Sequence, residues 1–178
     1  RDGARFSTRT DSEVILQAYA RHGGACVQRF RGMFAFAIWD AREQTLFAAR
    51  DRAGQKPFYY REDADGLVFA SEPKAFLAEP SFVADAAPAS VWQYLSFQYG
   101  PSPASAFRGV LRLPPAHVLR VERGRVSIER YWTLRYGPKS AMSEAEATEQ
   151  VRADVAEATR IMMVSDVPIG AFLSGGLD

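Results

Sequence analysis

Hydrophobic positions along the chain change period several times, and each change predicts an element. Val14, Ile15, Leu16, Ala18 and Tyr19 recur at helical spacing after Asp11-Ser12-Glu13, and His22-Gly23-Gly24 ends the run, so a helix from Ser12 is predicted. Residues 33–39, densely apolar and aromatic, read as a strand buried on both faces, with 40–44 as a turn and 45–50 as the returning strand. Residues 57–60 and 67–71 flank Asp63-Ala64-Asp65-Gly66 as a second hairpin, and 72–78 forms a short helix with Pro73 in its first turn.

Beyond Pro80 the texture loosens around Pro88, Pro101, Pro103, Pro114 and Pro115. Ser90 caps a predicted helix over 91–97, and 117–121 with 126–132 alternate in polarity across a turn at 122–125. Residues 135–142, holding Gly137 and Pro138, read as a linker. Ser143 is an N-cap with Glu144 and Glu146 in the first turn, opening a helix to about Met163 that carries Val151, Val155, Ala158 and Met162 on one face. The apolar run 167–173 predicts a buried strand. Residues 1–134 are thus rich in antiparallel strands, whereas 143–178 opens as helix, strand and Gly-rich loop, the start of a parallel α/β unit. The class predicted for the whole is α+β, without internal repeats.

Composition narrows the function classes. With 47% hydrophobic and 24% charged residues among 178, the chain reads as soluble and globular, one domain or two. A net charge of +1, well mixed, gives no basic stripe for nucleic acid. No apolar run approaches the roughly 20 residues of a membrane span. The first residues, Arg1-Asp2-Gly3-Ala4-Arg5, show neither an initiator Met nor a signal pattern. Cys26 is the one cysteine, which rules out an internal disulfide and fits a reducing, cytoplasmic setting. His22 and His117 stand in no ligand pattern.

Two places carry candidate chemistry. Ser174-Gly175-Gly176-Leu177-Asp178 follows the predicted strand, and glycines there would let backbone N–H groups approach a phosphate closely. A lone Ser-Gly-Gly is equally any strand-to-helix turn. Asp11 is either the N-cap of the helix beginning at Ser12 or an acceptor for a cationic ligand, and both roles are compatible. Arg50–Asp51 reads as a structural ion pair or turn, the run Phe34, Phe36, Trp39 as core, and Cys26 as a buried structural thiol.

Six phrases in order then carry a resemblance: 10–16 (TDSEVIL), 31–37 (RGMFAFA), 49–60 (ARDRAGQKPFYY), 69–75 (FASEPKA), 113–117 (LPPAH) and 165–178 (SDVPIGAFLSGGLD). Together they resemble the glutamine-hydrolysing asparagine synthetase family of class II glutamine amidotransferases. The resemblance implies a partial glutaminase of the N-terminal-nucleophile type over 1–134, two antiparallel sheets between helices. A linker at 135–142 follows, then the start of an ATP pyrophosphatase domain over 143–178. It implies a carbon–nitrogen ligase that hydrolyses glutamine and uses ATP, with Mg2+, to convert aspartate to asparagine, releasing AMP, pyrophosphate and glutamate. Its partners would be these small molecules, with no nucleic acid and no membrane, and a homodimer is compatible.

Carried over by residue, Asp11 matches the acid that pairs with the α-amino group of glutamine. Phe172, Leu173, Ser174, Gly175, Gly176, Leu177 and Asp178 match the ATP and pyrophosphate site, Asp178 on the magnesium side. The family's cysteine nucleophile precedes the position of Arg1, so no catalytic residue is assigned and the 178-residue chain alone is expected to be inactive. Gln55, Pro73, Ala116 and Met162 depart from the usual pattern, Ala116 replacing a glycine. Two other readings remain open: a relative acting on another carboxylate, as in β-lactam synthesis, or a non-catalytic scaffold on a glutaminase fold.

Overall fold

A computed structural model describes residues 5–64, 66–172 and 175. The chain divides into two compact units, Arg1–Leu134 and Arg135–Asp178. Helices and wholly antiparallel sheets make the class α+β.

The first unit opens with helix α1 (Asp11–His22), which runs into a 3-10 segment, Gly23–Arg29. Strands β1 (Ala35–Asp40) and β2 (Thr45–Arg50) form the first hairpin. The Asp40 carboxylate tightens their turn by accepting from the backbone N–H groups of Arg42 and Glu43 at 3.0 and 3.2 Å. Strands β3 (Tyr59–Asp63) and β4 (Gly66–Ala70) form the second hairpin. A 3-10 turn (Pro73–Ala78), helix α2 (Pro88–Phe97) and the two-residue strand β5 (Leu111–Arg112) follow. Strands β6 (His117–Glu122) and β7 (Arg125–Arg130) close on Arg123 and Gly124, both at positive φ (52° and 74°), as a two-residue hairpin turn requires.

One sheet has the order β1-β2-β6-β7 and the other β4-β3-β5. Strand alternation sorts the larger sheet's side chains between two cores. Ile38, Phe47, Ala49 and Val118 meet Cys26 and Val27 of the 3-10 segment, with Ile15, Ala18 and Tyr19 of α1 packed on them. On the opposite face Ala48 and Leu119 meet Phe58, Tyr60 and Leu113 at the smaller sheet. The layers are therefore helix, sheet, sheet. Small residues at Ala48 and Ala49 let both layers approach β2.

Several expectations are corrected here. Burial on both faces belongs to β2, the inner strand, rather than to β1, which lies at an edge. Trp39 is 57% exposed and belongs to neither core cluster, unlike Phe34 and Phe36. Helix α1 starts one residue earlier than predicted, with Thr10 as its cap. Helix α2 begins at Pro88 after Ala87, so Ser90 lies in its first turn instead of capping it; the fixed φ of proline suits the first helical position.

In the second unit, helix α3 (Glu144–Met162) starts on a complete capping box. Ser143 Oγ accepts from the Glu146 N–H at 3.3 Å, and the Glu146 carboxylate accepts from the Ser143 N–H at 2.8 Å. Those bonds hold the Glu146 carboxyl below its usual range, the Ser143 backbone N–H contributing most. The predicted strand at 167–173 is not formed over its described part, 167–172. A strand exists only through hydrogen bonds to a neighbour, and among the described residues none pairs with it. Phe172 is fully exposed, and Val151 and Val155 of α3 are exposed as well.

Candidate functional site

Helix α1 presents its N-terminus through a local hydrogen-bond system. Thr10 Oγ1 accepts from the Glu13 N–H at 3.4 Å, which makes Thr10 the cap. Glu13 sends its own carboxylate backward, accepting from the Ser7 N–H at 2.7 Å, the Ser7 hydroxyl at 2.9 Å and the Thr8 N–H at 2.6 Å. These donors, the Ser7 backbone N–H first, lower the Glu13 carboxyl from 4.5 to about 2. The segment before α1 is thereby tied to its first turn.

Asp11 is consequently released from capping. It is the first helical residue and is exposed, and the Ser12 hydroxyl reaches its Oδ1 only over a long 3.5 Å contact. This corrects the N-cap role given to Asp11. A carboxylate at this exposed position, beside the positive end of the helix dipole, offers hydrogen-bond acceptors to a ligand. The pattern Thr10-x-x-Glu13 was visible in the sequence as a capping box and could have assigned the cap correctly.

Between β2 and β3 lies a buried polar centre that serves architecture. Asp51 is 1% exposed; its Oδ1 accepts from the N–H groups of Ala53 (3.1 Å) and Gln55 (3.0 Å), its Oδ2 from those of Lys56 (2.9 Å) and Phe34 (3.3 Å). Arg50, 6% exposed, donates to the carbonyls of Lys56, Leu113 and Gly54 at 2.6–2.7 Å. Burial lowers the Arg50 pKa, with a contribution from nearby Arg112. The adjacent pair therefore works through the backbone of the loop at 52–56, a more specific role than the ion pair expected. Gly54, at φ +68, closes that loop: a Cβ there would stand 2.8 Å from Pro115 Cγ and 3.1 Å from Arg50 Cζ.

Cys26 is fully buried, and burial raises its pKa, so it is neither accessible nor ionised near neutrality. His117 Nδ1 lies 2.7 Å from the Pro115 carbonyl oxygen. Among the described residues no three His, Cys, Asp or Glu side chains are grouped to hold a metal, and no helix is long and apolar enough to cross a membrane.

At the other end of α1, two open grooves of about 780 and 720 Å³ share Tyr19, Glu43 and Arg120. Arg120 lies over the Phe47 ring, 4.9 Å from its centroid. The lining residues come from three separate stretches of chain, and nothing in their local spacing announces the grooves. Of the predicted phosphate loop, Leu173, Ser174, Gly176, Leu177 and Asp178 lie outside the described residues; Gly175 stands in a bend and Phe172 in solvent.

The family described as "Glutamine amidotransferase domain" matches residues 1–132, and the family described as "Asparagine synthase" matches residues 150–178. Glutamine-hydrolysing asparagine synthetase 3 of Bacillus subtilis (strain 168) is 38% identical over 179 residues, spanning 99% of this chain and 29% of that protein. Glutamine-hydrolysing asparagine synthetase 1 of the same organism is 33% identical, spanning 99% and 28%. The amidase chry2 of Gibberella zeae is 36% identical, spanning 99% and 26%. The chain therefore corresponds to less than a third of the length of each of these relatives. By the match over residues 1–132 and the likeness of nearly its whole length to glutamine-hydrolysing asparagine synthetases, the chain belongs to the glutamine amidotransferase domain family.

Proposed function

We propose that the chain contributes the glutaminase side, and the opening of the ATP-using side, of an enzyme that makes asparagine from aspartate with ammonia drawn from glutamine. The observation that carries this reading is the order of the two family matches on one chain, a glutamine amidotransferase domain followed by asparagine synthase. The layering of helix on antiparallel sheet on sheet supports an N-terminal-nucleophile type fold for the first unit.

Under this reading Asp11 receives the α-ammonium of glutamine. Its exposure, and its release from capping by Thr10, leave the carboxylate oxygens open to an ammonium donor. Glutamine and water give glutamate and ammonia. The aspartate side chain and ATP give an acyl adenylate and pyrophosphate, and ammonia then displaces AMP to form the amide.

The residues assigned to ATP and pyrophosphate are Phe172, Leu173, Ser174, Gly175, Gly176, Leu177 and Asp178, with Asp178 on the side of Mg2+, and they enter from the sequence. Bound there, Mg2+ would neutralise phosphate charge. A reducing, cytoplasmic setting belongs to the same reading. The likeness to a fungal amidase makes the acceptor carboxylate the part most in need of test.

The test uses the full-length protein supplied with glutamine, ATP and aspartate, with asparagine and AMP as readouts. Asp11→Asn should raise the KM for glutamine at least about tenfold, a charged hydrogen bond being worth ~1.5–3 kcal/mol, while ammonia-dependent synthesis persists. Asp178→Ala should abolish AMP formation and leave glutamine hydrolysis. Amide formation on a different carboxylate would refute aspartate as acceptor, and loss of both activities in Asp178→Ala would refute two separable sites.

A further inference from the structure

The larger sheet carries a polar corner on the face that packs against α1. Strand register aligns Ile38, Phe47, Arg120 and Ser127 in one row across that face, and Asp40, Thr45, Glu122 and Arg125 in the next. Helix α1 covers the β1–β2 part, where Ile38 and Phe47 join the core. Over β6 and β7 the same rows turn polar, and the grooves of about 780 and 720 Å³ meet there.

Arg120 stands at the junction of the two grooves. Its guanidinium is held over the Phe47 ring, 4.9 Å from the centroid. Gly24, just beyond α1, makes the space, since a Cβ at that position would overlap Arg120 Nη2. Packing therefore places this guanidinium, and pairing does not. Among the described residues its nearest carboxylate oxygen is Glu122 Oε1 at 4.0 Å, beyond hydrogen-bond reach. A rigid fork of N–H donors thus faces the groove with its pairing capacity unused. Asp40 is already engaged by the N–H groups of Arg42 and Glu43, whereas the exposed Glu43 side chain lines both grooves. Past Glu43 and Tyr19 the second groove runs over Leu16 and Trp39, both more than half exposed.

We propose that the groove at Arg120 binds a free α-amino acid with an apolar side chain, as its zwitterion. The two grooves have Tyr19, Glu43 and Arg120 in common: one aromatic ring, one carboxylate and one guanidinium. The guanidinium receives the α-carboxylate through two parallel N–H···O bonds. Glu43 accepts from the α-ammonium, and the apolar side chain lies towards Leu16 and Trp39. A phosphate would meet the like charges of Glu43 and Glu122 in the polar groove, whereas a zwitterion satisfies both signs. Each groove falls within the ~300–1,000 Å³ of small-molecule sites.

Titration of the chain with L-leucine to about 50 mM, followed by 1H–15N NMR, reads the result at the Trp39 indole N–H and the Arg120 Nε–H. Both signals should shift and saturate. Arg120→Lys keeps the charge but loses the fork, and should weaken binding at least about tenfold. Glu43→Gln should weaken L-leucine at least about threefold while leaving N-acetyl-L-leucine, which has no ammonium, unchanged. Gly24→Ala displaces the guanidinium and should remove saturation, with far-UV circular dichroism confirming that the variants stay folded. Lys74→Ala, a cation engaged by Glu72, should leave binding unchanged. A chain that shows no saturable shift would overturn the proposal. So would undiminished binding in Arg120→Lys, or leucine binding that leaves Trp39 and Arg120 unmoved. Binding of inorganic phosphate in place of leucine would make the groove an anion site and overturn it as well.

Discussion

The Tyr131 hydroxyl donates to the carbonyl oxygen of Arg50 at 2.9 Å, joining the residue after β7 to the last residue of β2. Burial, helped by the charge of Asp51, raises the Tyr131 pKa from 10.0 to about 12. The folded state thus holds this proton more tightly than the unfolded state. The stabilisation is complete below pH 10 and is lost as pH rises through about 12. Tyr131→Phe should flatten this alkaline limb, removing on the order of 1–2 kcal/mol of pH dependence after allowance for solvent screening. Urea unfolding at pH 8 and pH 11, compared between the two proteins, measures it.

Asp51→Ala should be among the most damaging single substitutions. It would strand the N–H groups of Phe34, Ala53, Gln55 and Lys56 around a site that is 1% exposed. Buried donors without acceptors cost ~1–3 kcal/mol each, so a loss of at least about 3 kcal/mol is expected from denaturant titration.

Gly54 and Ala116 both adopt left-handed backbone, at φ +68 and 61, with opposite consequences. Gly54→Ala adds the left-handed penalty of ~1–2 kcal/mol to a clash with Pro115, for a total of about 2–4 kcal/mol. Ala116→Gly relieves a similar penalty but gives up a buried methyl and gains unfolded-state entropy, so its change should stay within about 1 kcal/mol. Thermal unfolding of the two variants side by side tests the contrast.

Glu13→Gln should free the segment before α1. The Glu13 carboxyl titrates near 2 instead of 4.5 because Ser7 and Thr8 donate to its ionised form. Its support for that segment is present above 4.5 and is lost as pH falls through about 2. Amide hydrogen exchange at Ser7 and Thr8 should accelerate in the variant at neutral pH, whereas exchange within the β2 ladder should stay unchanged.

Much of this architecture is legible before any folding. Turn residues placed the three hairpins, because Asp40, Gly66 and Gly124 act on their own neighbours. Ser143 and Glu146 announced α3 for the same reason. Less legible were burial and partnership. Met33 to Trp39 and the residues of β2 are similarly apolar, yet only β2 has strands on both sides. The Arg50–Asp51 pair, read as an ion pair or a turn, engages the backbone of its own loop at 52–56, and only its bonds to Leu113 and Phe34 come from distant parts of the chain.

What the sequence by itself determined is the order of the local elements and the family. These depend on spacings of a few residues. Tertiary structure decided which strand is central and that the apolar stripe of α2 faces outward. Such outcomes depend on contacts across long loops, as in the bond from Arg50 to Leu113, 63 residues apart, or from Tyr131 to Arg50, 81 apart. Local periodicity records that a residue seeks burial; only the packed layers settle which residues obtain it.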